Sequence, residues 1–261
     1  MAGLENFAQN WDYIVLLFLR VSALIFSSPI FGRNNIPQVA KLGLCCALAY
    51  VFYKAVPLAE PLDYNDDIIF FALLCIKELL FGLVLGYVVN LFMTLVFTAG
   101  QMIDMQMGFG MVNVFDVQSN LSIPVTGNLL NIMMLLIFFA VNGHHRLIEL
   151  LYVTVQRVPV GSVVFSAALG TTALELFAKS FLLAVYVALP MIGAGLLTQF
   201  CLGVIIKAMP QMNAFSIGLP LEVVLGFIVL LMVLPVYVSF SDTIFNEMFA
   251  GLDNMFAALA G

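Results

Sequence analysis

The chain has 261 residues, of which 63% are hydrophobic and only 9% carry charge, with a mean hydropathy of +1.11. A soluble domain devotes about a quarter of its residues to charge, so water is excluded as the main solvent. Nine basic against fifteen acidic residues give a net charge of −6, which excludes a nucleic-acid partner, because no basic patch exists to displace phosphate counterions.

Six apolar segments follow one another at 11–28, 39–56, 68–98, 126–141, 172–206 and 217–240. Within them the charge-free runs 79–103, 180–206 and 223–241 reach the ~20 residues that a helix needs to cross a hydrocarbon core of about 30 Å. No alternating polar and apolar barrel strands are present, and in lipid a helix satisfies its own backbone. The expected fold class is therefore all-α, a polytopic hydrophobic helical protein. Glu5 and Asp12 stand where a cleaved leader carries basic residues, so the first segment is expected to be retained as a helix.

Turn-rich stretches at 29–38, 57–67 and 158–171 separate the segments. Trp11, Tyr13, Tyr50, Tyr53 and Tyr64 lie near predicted helix ends, where they serve either as an interfacial belt or as core packing. Alternating loops place Arg33, Lys41 and Lys207 on one side and Lys54, Arg146 and Arg157 on the other, a tie that leaves orientation open.

Arg20, Lys77, Glu78, Glu175 and Lys179 fall within or beside apolar segments, where an unpaired charge costs several kcal/mol (about 2.5–3.5 on insertion scales). Arg20, Lys77, Glu78 and Lys179 are therefore expected to be buried against protein. Adjacent Lys77 and Glu78 point in different directions on a helix, so their partners are expected on other segments or subunits, whereas Glu175 and Lys179 are spaced to pair. Gly82 and Gly86 form a small-xxx-small face for close helix approach. Pro190, Gly193 and Gly195 in the fifth segment and Pro235 in the sixth predict kinked or broken helices.

Residues 100–127 read GQMIDMQMGFGMVNVFDVQSNLSIPVTG, too polar and glycine-rich for a lipid-facing helix. Met102, Met105, Met107 and Met111, with Phe109 and Phe115, supply deformable apolar side chains. Such a loop either seals a passage and yields under pressure or packs between helices. Catalytic and metal chemistry find little support: His144, His145 and Glu149 have no further ligand at a recognisable spacing. No cofactor is implied. Cys45, Cys46, Cys75 and Cys201 lie in apolar runs and read as small buried residues.

Taken together, several stretches resemble the FliR family of flagellar biosynthetic proteins, whose virulence-associated relatives belong to type III secretion export gates. They are Arg20 through Pro29 with Phe31-Gly32 and Ile36-Pro37, the Glu78, Gly82 and Gly86 helix, GQxxDxQMG from Gly100 to Gly108, Asp116, Gln118, Pro124 and Asn142-Gly143-His144. The most specific is Pro210-Gln211-Met212-Asn213-Ala214-Phe215, followed by Gly218, Pro220 and Gly226. Lys207 stands where the family often has arginine, and Glu222 where it often has lysine.

The resemblance implies a structural pore subunit with no catalysis of its own. Its expected partners are FliP and FliQ in a helical hetero-oligomeric gate, FlhB, translocating unfolded flagellar proteins, and the lipid of the bacterial inner membrane in the flagellar basal body. It implies a FliP-like part over 1–171, containing a pore plug at 100–127, and a FliQ-like hairpin over 172–261. It also implies an assembly motif around Lys207, Pro210, Gln211, Asn213, Phe215, Gly218, Pro220 and Glu222. The rival reading is a secondary transporter binding a small solute or coupling ion near Glu78, Lys179 or Pro190.

Overall fold

The computed structural model describes residues 11–56, 68–109, 124–166, 168–209 and 214–260. Among these residues all regular structure is helical: α1 (Trp11–Ser27), α2 (Gln38–Ala55), α3 (Ile68–Gln106), α4 (Val125–Ala140), α5 (Gly143–Arg157), α6 (Ala168–Ala208) and α7 (Ala214–Ala260). Helices α1, α2 and α4 coincide with the expected segments to within a residue at each end.

The other elements differ from expectation in instructive ways. Helix α3 runs past residue 98 to Gln106, since the polar residues 98–106 contain neither proline nor a left-handed turn. It stops where Gly108 takes φ 78°, the left-handed conformation that glycine adopts at no steric cost. Helix α7 continues well beyond residue 240 because its tail is amphipathic: Phe245, Met248, Phe249, Leu252, Met255, Phe256 and Leu259 are all buried at helical spacing. Hydropathy passes over α5 entirely, yet its Leu147, Leu151, Thr154 and Val155 form one buried face. Asn142, at φ 56°, makes the turn before it.

Of the kinked or broken helices expected at Pro190 and Pro235, the broken form does not occur, for α6 and α7 continue through both, and α7 through Pro220 as well. Proline removes one internal hydrogen bond, but a break would release more backbone groups into a medium that cannot solvate them. Helices α3 and α6, and the Pro220–Leu259 part of α7, are long and apolar enough to cross a membrane, and α4 with α5 counts as a fourth span if the two are one broken unit.

By internal contacts the chain forms two units. One gathers α1, α2, α3 up to Leu91, α5, the start of α6 up to Leu176 and the end of α7 from Glu247. Leu16, Leu17, Val21 and Leu24 of α1 are fully buried in it, as are Phe81 and Leu85 of α3. Phe81 meets Phe256 edge to face at 6.4 Å, and Phe52 meets Tyr152 at 5.9 Å. The second unit contains α3 from Phe92, α4, α6 from Phe177 and α7 up to Asn246. Its core includes Phe92, Val96, Met134 and Phe138. Phe138 packs edge to face on Phe245 at 5.5 Å, and the Tyr237 hydroxyl donates to the Leu130 carbonyl at 3.0 Å.

Candidate functional site

In the first unit, Arg20 and Glu78 solve each other's burial. Both side chains are completely shielded from solvent. The guanidinium makes a two-point contact, Nε donating to Glu78 Oε2 at 2.5 Å and Nη2 to Oε1 at 3.0 Å. Nη1 donates to the carbonyls of Val158 and Thr154 at 3.0 and 3.3 Å. Phe81 lies 4.4 Å from the guanidinium carbon, ring face inward. Glu78 Oε1 also accepts the Gly161 backbone N–H at 2.8 Å, and Gly161 reaches it through a left-handed φ of 91°. Gly82 and Gly86 permit the approach of α1, because a Cβ at Gly82 would strike the Arg20 carbonyl and one at Gly86 would strike the Ser27 hydroxyl. One glutamate thus ties α1, α3 and the turn after α5 together.

In the second unit, Gly100, Asp104, Gln106 and Gly108 of the 100–108 stretch each have a separate structural task, while Gln101 is exposed. Gly100 presses on the backbone of Gly127, leaving no room for a side chain. One turn later Asp104 Oδ1 accepts both the Thr126 backbone N–H, at 3.2 Å, and the Thr126 hydroxyl. Pro124 gives α4 no side-chain cap of its own, so this carboxylate from α3 caps it and favours its positive end. Gln106 lies against Gly195 of α6 and Met107 against Gly226 of α7, where an added Cβ would come within 2.6 Å of each. Gly108 then ends α3, with Phe109 N–H returning to the Asp104 carbonyl at 3.0 Å. The two ends of the stretch between α3 and α4 are consequently pinned together at Gly100/Gly127 and Asp104/Thr126.

Comparison with known proteins places this framework. The model for bacterial export proteins, family 1, matches residues 12–248. The chain belongs to that family. It is 30% identical to the flagellar biosynthetic protein FliR of Bacillus subtilis (strain 168), over 93% of this chain and 94% of the relative. It is also 30% identical to FliR of Escherichia coli (strain K12), over 98% of both chains, and 29% identical to FliR of Aquifex aeolicus (strain VF5), over 90% of both.

The remaining candidate residues of this export protein are distributed unevenly. Lys77, Glu175 and Lys179 are exposed on the chain's surface, so the expected burial holds for Arg20 and Glu78 and not, within the chain, for Lys77 and Lys179. Helical geometry explains the difference: one residue is a 100° step, which turns Lys77 off the face that Glu78 gives to α1. Met102 and Phe109 are half-buried, Met107 is buried, and Met105 is 73% exposed. Met111 and Phe115 lie outside the described residues, as do Pro210, Gln211 and Asn213. Lys207 is exposed in the last turn of α6, Gly218 is buried, Pro220 is exposed and Glu222 is half-buried; Phe215 lies in α7, its side chain outside the described set.

One further expectation needs correction. Of the cysteines, only Cys45 is buried; Cys75 is intermediate and Cys46 and Cys201 are exposed, on helix faces that the chain itself does not cover. Of the aromatic residues near helix ends, Tyr13 is buried and packs 6.2 Å from Tyr53, as core packing requires, while Trp11 and Tyr50 are exposed; Tyr64 is outside the described residues. The rings of His144 and His145 lie 4.1 Å apart, tilted by 46°, and among the described residues no three metal-binding side chains come together. Sequence reading missed Thr126, Thr154, Val158 and Gly161 as partners. Of these, only Gly161 stood at a position the sequence marks, as a glycine in the 158–171 turn-rich break.

Proposed function

We propose that the chain is a structural, pore-forming subunit of a flagellar type III export gate. In this reading it conducts unfolded flagellar proteins across the bacterial inner membrane in a complex with FliP, FliQ and FlhB, without catalysis of its own. The similarity to FliR proteins along nearly the whole chain carries the proposal.

The surface supports it. Phe200 and Met232 are each 72% exposed, and Leu197 and Leu231 nearly as much, so α6 and α7 present apolar faces that require lipid or other subunits. Those two helices form the FliQ-like part over 172–261, and 1–171 the FliP-like part. The methionine-rich stretch beginning at Met102 is the plug: its base is fixed at Gly100/Gly127 and Asp104/Thr126, while Met105 remains open to contact. A transporter site at Glu78 is disfavoured, because Arg20 and Gly161 N–H already occupy that carboxylate.

Co-expression of the tagged chain with its host's FliP and FliQ, followed by detergent extraction and native mass analysis, tests the assignment. One large hetero-oligomer containing all three is expected. A lone monomer or dimer in the presence of expressed partners overturns it.

A further inference from the structure

Helices α6 and α7 and the end of α3 leave a small cleft within the second unit, lined by Gln106, Met107, Met191, Thr198, Glu222 and Gly226 among others. The centre of a water-sized sphere can sweep about 10 Å³ in it. That is close to the minimum for holding one water molecule and too little for a side chain.

The lining asks for the same occupant. Gln106 Oε1 is fully shielded and accepts no hydrogen bond. It faces Gly195 of α6, where an added Cβ would stand 2.6 Å from it, so the group opposite is a C–H, a weak donor. The amide of Gln106 brings a donor of its own, but beside its oxygen and not toward it. Thr198 has given its proton to the Ala194 carbonyl at 2.9 Å, which leaves its oxygen as a second acceptor. Glu222 adds a half-buried carboxylate. Buried polar atoms in folded proteins find a partner in the protein or in ordered water, because an unmade bond is costly. A hard cation fits poorly, since calcium takes six to eight oxygen ligands and a single carboxylate lines the cleft.

We infer that the cleft is the binding site of one ordered water molecule, which donates one proton to Gln106 Oε1 and the other to Thr198 Oγ and rests against the side chains of Met107 and Met191. Gly195 and Gly226 keep the space open, since a side chain at either would strike Gln106 or Met107. The water joins the end of α3 to α6, so that Gln106 crosses to its neighbour through a solvent molecule where Asp104 crosses to α4 directly. The inference concerns the single chain and stands apart from the assembly reading.

X-ray radiolysis of the full chain in detergent tests it, with a hydroxyl-radical scavenger in the bulk and methionine oxidation read by peptide mass analysis. Radiolysis makes hydroxyl radicals from a bound water in place, where the scavenger does not reach, and a neighbouring thioether is readily oxidised. Met107 and Met191 flank the cleft, Met134 and Met248 lie in the core away from it, and none of the four is more than 2% exposed. Exposed Met105 reports radicals from the bulk. Met107 and Met191 are expected to oxidise several-fold faster than Met134 and Met248, with the scavenger suppressing Met105 alone. Gln106→Leu and Thr198→Val, each first shown to elute like the wild type, are expected to bring Met107 and Met191 down to the level of Met134. Should Gln106→Leu elute differently, Thr198→Val decides, since it removes an oxygen at nearly constant volume. Equal oxidation of the four buried methionines in the wild type overturns the inference. So does suppression of Met107 and Met191 in step with Met105, or undiminished labelling in a variant that elutes like the wild type.

Discussion

Arg20 and Glu78 show how a chain this apolar retains an ion pair at full burial. The contact is worth little compared with a well-packed apolar pair, but removing one member strands the other charge. Arg20→Ala is therefore expected to destabilise the lone chain by about 3–5 kcal/mol, read as a fall in thermal midpoint in detergent. Arg20→Lys should fall between, because an ammonium cannot bridge both carboxylate oxygens while also reaching the Thr154 and Val158 carbonyls. Replacing both Arg20 and Glu78 with leucine should cost less than the single alanine change, since no charge is then left unpaired. Lys77→Ala, on the exposed neighbour, should stay within about 0.5 kcal/mol of wild type. If Arg20→Ala and Lys77→Ala shift the midpoint equally, the pair is not what fixes α1 to α3.

At the level of elements, glycine separates contacts that hold helices together from positions that merely happen to be small. Gly100 and Gly82 sit against backbone atoms, whereas nothing lies within 4 Å of where a Cβ would stand at Gly193 or Gly203. Gly100→Ala is expected to force α3 and α4 apart and lower stability by about 1–3 kcal/mol. Gly203→Ala, in the interior of α6, should raise it by about 0.5–1 kcal/mol through helix propensity alone. Unfolding of the lone chain in detergent measures both; two changes of the same sign would contradict the close approach. The same contrast marks the limit of what the sequence discloses. The Gly82/Gly86 face was legible because its spacing announces a helix contact, and the helix class followed from apolar length. The end of α3 and the whole of α5 were not legible from mean hydropathy, because their buried faces are narrow apolar stripes on otherwise polar helices; in α5 the spacing of Leu147, Leu151 and Val155 carried the signal instead. Gly193 has as suggestive a sequence setting as Gly195, yet only Gly195 meets another helix. Nothing local to the chain distinguishes the two.

Across the whole molecule, the proposed seal and the stability of the fold draw on different methionines of one stretch, and this gives the plug proposal a discriminating test. Met107 is buried against Gly226, so its loss removes core packing as well as any seal, at a cost of about 2–5 kcal/mol for a truncation to alanine size. Met105 is 73% exposed, and serine there changes an accessible apolar surface while leaving the fold's contacts in place. Substituting Met102, Met105, Met107 and Met111 together with serine is expected to leave a recoverable gate whose closed state leaks ions. Met105→Ser alone should raise conductance with little change in thermal midpoint, and Met107→Ser should lower the midpoint. Conductance of the purified assembly in a planar bilayer reads the first quantity and unfolding of the lone chain reads the second. Asp104→Asn completes the comparison: it weakens the cap on α4 without altering any methionine, so a leak there would arise from a loosened base. If the fourfold serine variant conducts no more than wild type, the stretch packs between helices and the seal lies elsewhere in the complex.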